Sequence, residues 1–227
     1  MLSFVAAVII VVIAVTIILQ SKGSPSSELS IRGVFEKMSI LLRSEEVQNN
    51  HLDAALRVML KVNERSTEVA PDYGLLPSNP IRVNGPLGEQ LYIAMLRGLD
   101  GQSVIGHRLG SVDHLDVYEV ATTDFSQWAV LIFDMYYLSK DLLAPQGFVI
   151  NELGTRTLTS VNKFMASFPS NFYSELMTSV GEQIGFPLVN TDLKEMHTEG
   201  VKRPAEHERL MMKIIVKKRA QGIGLDS

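Results

Sequence analysis

The sequence contains no cysteine. That excludes a disulfide framework, a thiol nucleophile, a cysteine-ligated zinc site and an iron–sulfur cluster. It also excludes lipid attachment through a cysteine. No N-x-S/T sequon occurs, so no glycan attaches by that route. Aromatic residues are 7% of the chain, with a single tryptophan. H-E-x-x-H, G-x-S-x-G, G-x-G-x-x-G and the P-loop ending are all missing, which removes the motif-defined zincins, α/β-hydrolases and nucleotide binders. No cofactor is expected. No internal repeat is found.

What is present is an uneven distribution of apolar residues. The chain has 227 residues, 46% of them hydrophobic, and a net charge of -4. Of residues 1–19, all but Ser3 and Thr16 are apolar. Leu2 to Leu19 is uncharged and would make a helix of about 27 Å, against a hydrocarbon core of ~30 Å. A helix on the surface of a small core would carry a polar stripe, and this one carries none. A cleaved signal peptide is the competing reading, but no basic residue precedes the run and Ser21-Lys22-Gly23 is a poor cleavage site. Residues 1–20 are therefore predicted to be a single-pass transmembrane anchor in the cell membrane. Lys22, Arg32 and Lys37 follow the span and no Lys or Arg precedes it, so the C-terminal part is predicted to be cytoplasmic.

Behind the anchor, residues 21–27 form a polar linker. Ile31, Phe35, Met38 and Leu42, then Leu52, Leu56, Met59 and Leu60, recur at helical spacing, predicting an amphipathic helical segment over 28–66. The expected fold class is α+β: the transmembrane helix is followed by a small antiparallel sheet domain packed with helices, spanning 70–200. Strands are predicted at 102–109, 115–123 and 127–138, with a further short strand at 81–83; the alternative is a mixed sheet in which 81–83 pairs parallel to 102–109 after a helical crossover. The 127–138 strand, apolar on both faces, is expected at the centre of the sheet. Helices 87–97, 158–168 and 172–184 are expected on one face of it. Pro204 opens a basic C-terminal helix and tail, 201–227.

The strongest polar group is His107-Arg108 with Asp113-His114 and Asp116, where two strands join. Neutral histidine and carboxylates are ligands for zinc and non-haem iron. His107, His114 and Asp116 are the metal candidates. His107, Asp113, His114 and Asp134 are the catalytic candidates, Asp134 because a carboxylate within an apolar strand must be paired, protonated or functional. Ser111 beside Asp113 and His114 suggests a triad only by sequence adjacency, which is not how triads assemble. Asn84 to Glu89 opens a helix with glycines but has no phosphate-binding signature.

Residues 202–219 carry a net charge of +5. Lys213, Lys217, Lys218 and Arg219 are the candidate membrane-surface residues, for contact with anionic lipid. The remainder of the chain is acidic, so no nucleic-acid partner is expected. No motif assembles a complete catalytic set. The expected function is a membrane-tethered protein-interaction or scaffold domain with a protein partner. The alternative is a small membrane-bound metal-dependent hydrolase using His107, Asp113, His114 and Asp116.

Overall fold

The computed structural model describes residues 70–137, 142–151, 157–184 and 189–222. The expected anchor, linker and 28–66 segment lie outside the described residues. Among the described residues no helix is long and apolar enough to cross a membrane.

The elements run β1 (Ile81–Arg82), α1 (Gly85–Met95), β2 (Leu96–Gly98), β3 (Val104–Val112), β4 (Leu115–Thr122), β5 (Trp128–Asp134), β6 (Phe148–Ile150), β7 (Ser160–Val161), α2 (Phe172–Ile184), a short 3-10 turn (Thr191–Glu195) and α3 (Ala205–Ala220). The architecture is mixed α+β. A five-stranded sheet has the order β1-β5-β4-β3-β7, and β2 and β6 form a separate pair.

The three middle strands follow from alternation of β-branched and aromatic residues, and they pair antiparallel as expected. Asp113-His114 is the two-residue turn between β3 and β4, with Val112 opposite Leu115. Asp113 has φ 55, a left-handed backbone that aspartate tolerates in turns. The sheet is nevertheless not purely antiparallel. β1 joins parallel to β5, and β7 joins parallel to β3. β5 therefore has only the two-residue β1 outside it, and β4 takes the centre. Ser160-Val161 is strand where a helix over 158–168 was expected, because its backbone completes the edge of β3.

Both faces of the sheet are covered. One carries Val104, Tyr118, Val120, Leu131 and Phe133, packed with Tyr92, Ile93 and Met95 of α1. The other carries Ile105 and Ala121 under Phe172, Leu176 and Val180 of α2, and Leu109, Val117 and Val130 beside Met211 of α3. The two helical regions thus lie on opposite faces, not on one. α1 is buried along nearly its whole length, so it has no solvated stripe. α3 is the reverse: only His207 and Met211 are buried. Glu206 and Glu208 sit in its first turn and Lys217, Lys218 and Arg219 in its last, complementing the helix dipole.

Candidate functional site

Residues directly opposite in an antiparallel pair share a face, so the pairing of His107 with Glu119 places both side chains beneath α3. Both are fully buried. His107 Nε2 lies 2.8 Å from Glu119 Oε2, and the Met165 backbone N–H donates to His107 Nδ1 at 3.0 Å. That donor fixes the tautomer: Nδ1 accepts, so Nε2 holds the proton and donates to the carboxylate. Phe168 flanks the ring at 4.6 Å between centroids. Burial pushes the His107 pKa down, against the raising effect of Glu119. His107 is neutral, with both nitrogens occupied.

Glu119 collects two further partners from the C-terminal arm. His207 Nδ1 lies 2.9 Å from Oε1 in a hydrogen bond, and Arg203 Nε is 3.1 Å from the same oxygen as an ion pair, off the hydrogen-bonding direction. Arg203 also donates to the Phe168 carbonyl at 2.6 Å. Burial alone would raise the Glu119 pKa. The two histidine hydrogen bonds and the Arg203 charge outweigh it and hold Glu119 at about 2. This cluster clamps α3 and the segment before it onto the sheet. Its chemistry is that of a buried anion held by two histidine hydrogen bonds and one guanidinium charge.

A second cluster lies on the opposite face. β3 bulges between Arg108 and Gly110, which lets Arg108 and Ser111 both reach Asp116. Arg108 Nη2 and Ser111 Oγ donate to Asp116 Oδ1 at 2.7 and 2.8 Å. Tyr118 Oη lies 3.0 Å from Glu89 Oε2 of α1 and 3.1 Å from Asn162 Oδ1. One phenolic proton serves one acceptor, so a protonated Glu89 supplies the second bond. Burial, then the Asp116 charge, pushes the Glu89 pKa well up. Glu89 Oε1 has no hydrogen-bond partner.

The sequence candidates separate accordingly. His107 lies on one face of the sheet and Asp116 on the other. Asp113 is the exposed turn residue. His114, 53% exposed, faces Asp134 at 3.7 Å, and Asp134 also accepts from the Tyr136 N–H. Ser111 bonds Asp116 and Arg108, not a histidine. Among the described residues, no three His, Asp or Glu side chains gather as a metal would require. Glu119, Arg203, His207, Glu89 and Tyr118 carry the buried polar chemistry and were not singled out for it from sequence. Glu119 gave one sign, a charge on the same face of β4 as Leu115, Val117 and Ala121.

Beside the first cluster, the β3–β4 hairpin and α3 enclose an open groove of about 310 Å³. Leu109, Val112, Val117, Leu210 and Ile214 line it, with Lys217 and Lys218. Lys218 stands 4.7 Å from the centroid of the Phe164 ring. No protein-family model matches the chain, and neither a curated protein nor a solved structure matches it.

Proposed function

We propose that this protein is a membrane-tethered interaction domain, held by residues 2–19 with its folded part on the cytoplasmic side. One observation carries the reading. The buried ionisable residues His107, Glu119, Arg203 and His207 are spent on one another, while the accessible concavity beside them is apolar and rimmed by lysine. A reaction centre needs reactive groups aimed at a substrate, whereas a docking surface needs accessible apolar area with a polar rim. The basic half of α3, with Lys213, Lys217, Lys218 and Arg219, suits it to an anionic membrane surface.

Alkaline carbonate extraction of the expressed full chain tests the tether. Retention in the pellet is expected, and recovery in the supernatant would remove it. A photo-reactive residue at Val112, on the groove, tests the interaction in cells against the same label at Leu99, which is exposed elsewhere. Adducts are expected at Val112 alone. Equal labelling at both, or none, would count against a docking role. Metal analysis of the purified protein tests the hydrolase alternative: no stoichiometric metal is expected, and zinc, iron or manganese at one per chain, lost in His107→Ala, would favour that alternative.

A further inference from the structure

We infer that the groove between the β3–β4 hairpin and α3 is a binding site for one anionic phospholipid. Its acyl chain lies against Leu109, Val117, Leu210 and Ile214, and its phosphate meets Lys217. The inference rests on the membrane reading above for the source of the lipid. It goes further in assigning a bound molecule rather than a surface attraction.

The groove exists because α3 is fastened at one end. His207 and Met211 are buried, Ile214 and Ile215 are half-buried, and Val216 is 61% exposed. Leu210, Ile214, Lys217, Lys218 and Gln221 follow at three- and four-residue steps and face the hairpin, as one helical stripe does. The walls are apolar and the cations stand at one end. The volume of about 310 Å³ is at the small end of ligand sites, roughly 300–1,000 Å³.

Charge selects an anion. Residues 209–220 contain five basic residues and no acidic one. Lys217 is exposed, and among the described residues no carboxylate pairs with it. Lys218 stands over the Phe164 ring and adds its positive charge to the same end of the groove.

Chain chemistry selects lipid over peptide. A peptide backbone laid on these walls would leave N–H and C=O groups without partners, at a cost an acyl chain does not incur. The same edge of the domain also exposes apolar residues: Val112 on the hairpin, and Met212 and Val216 on α3. They are three of the seven large exposed hydrophobic residues among those described. Apolar side chains among lysines and arginines make the pattern of an interfacial helix.

The test is native mass spectrometry of the full chain in a non-ionic detergent, titrated with dioctanoyl phosphatidylglycerol or dioctanoyl phosphatidylcholine. The expected result is one phosphatidylglycerol per chain, saturably, with phosphatidylcholine at least tenfold weaker. Ile214→Trp, which fills the groove, should abolish retention. Lys217→Glu, at an exposed position, should erase the preference for phosphatidylglycerol while the chain still unfolds cooperatively, so the test survives if Ile214→Trp fails to fold. Equal retention of the two lipids, unsaturable binding, or binding unaffected by Lys217→Glu would overturn the proposal. So would an acidic amphipathic peptide that binds this groove while neither phospholipid is retained. The titration does not use residues 2–19. A chain that binds lipid here but leaves the membrane in carbonate refutes the tether alone.

Discussion

Asp116 and Glu119 leave strand β4 on opposite faces, and each belongs to a buried polar cluster. On the α3 side, Glu119 meets His107, His207 and Arg203. Every neighbour can donate, so the carboxylate stays ionised despite its burial. On the α1 side, Glu89 meets one phenol and lies near the Asp116 charge. Arg108 is committed to Asp116. Two buried carboxyl groups on opposite faces of one sheet, Glu119 of β4 and Glu89 of α1, thus take opposite protonation states. Burial depth is nearly the same, 1% exposed against none. The number and charge of the donors decides. The first cluster joins a C-terminal arm to the sheet and gains from its charge. The second packs a helix onto the sheet and has to suppress one.

The sharpest way to break this comparison is to remove the Glu119 carboxylate. Glu119→Ala leaves Arg203 and two histidines buried without their acceptor, and loss of one partner in a buried ionic cluster costs ~3–5 kcal/mol. Denaturant unfolding of the full chain in detergent should show that loss. α3 should also become more accessible to protease, since besides His207 it buries only Met211 fully and packs Leu210, Ile214 and Ile215 in part.

Acid should act on the same cluster with a smaller effect. His107 has a folded pKa below its ordinary value, so it stabilises the fold above about pH 6.5 and loses that contribution as pH falls. Glu119, held at about 2, contributes in full above about pH 4.5 and loses its contribution between there and pH 2. Both shifts have one sign, so the contribution of this cluster should decline in two steps on acidification. The second step is on the order of 2–4 kcal/mol. Thermal unfolding at a series of pH values checks it. In Glu119→Gln the step between pH 4.5 and 2 should vanish, and its persistence would show that another carboxylate causes it.

The sequence showed the scaffold of these clusters but not their partners. Strands β3, β4 and β5 were legible because alternating β-branched and aromatic runs allow little else. Helices α2 and α3 were legible from Pro169, Gly185 and Pro204. The edge strands divided: Ile81-Arg82 was legible as part of a short strand over 81–83, though not its parallel pairing with β5, whereas Ser160-Val161 carries no period and a neighbouring backbone decides its state. Leu158, Met165 and Phe168 have helical spacing yet pack from an irregular segment, because the segment follows the sheet edge and then passes under Arg203. His107 and Asp116 stood out as polar residues in apolar surroundings. Their positions on opposite faces follow from the bulge between Arg108 and Gly110 and from strand register. His207 is 88 residues from Glu119, and no spacing rule connects them.

The comparison is sharpened most finely at Glu89. A carboxyl group whose folded pKa is raised favours folding only below its unfolded value. Above about pH 4.5 the unfolded chain releases a proton that the folded chain retains, so each further pH unit works against the fold until the folded pKa is passed. Glu89→Gln keeps the shape and removes the ionisation. Its amide can donate to Tyr118 Oη, the role assigned to the carboxyl proton, while Tyr118 continues to donate to Asn162. The expected outcome is a gain in stability at pH 8 in denaturant unfolding, shrinking to nothing below about pH 4.5. The corresponding change at Glu119 should be destabilising at pH 8, because there the anion is what the neighbours require. A loss of stability in Glu89→Gln at pH 8 would mean that Glu89 is ionised, that Arg108 serves both carboxylates, and that the two faces of β4 obey the same rule.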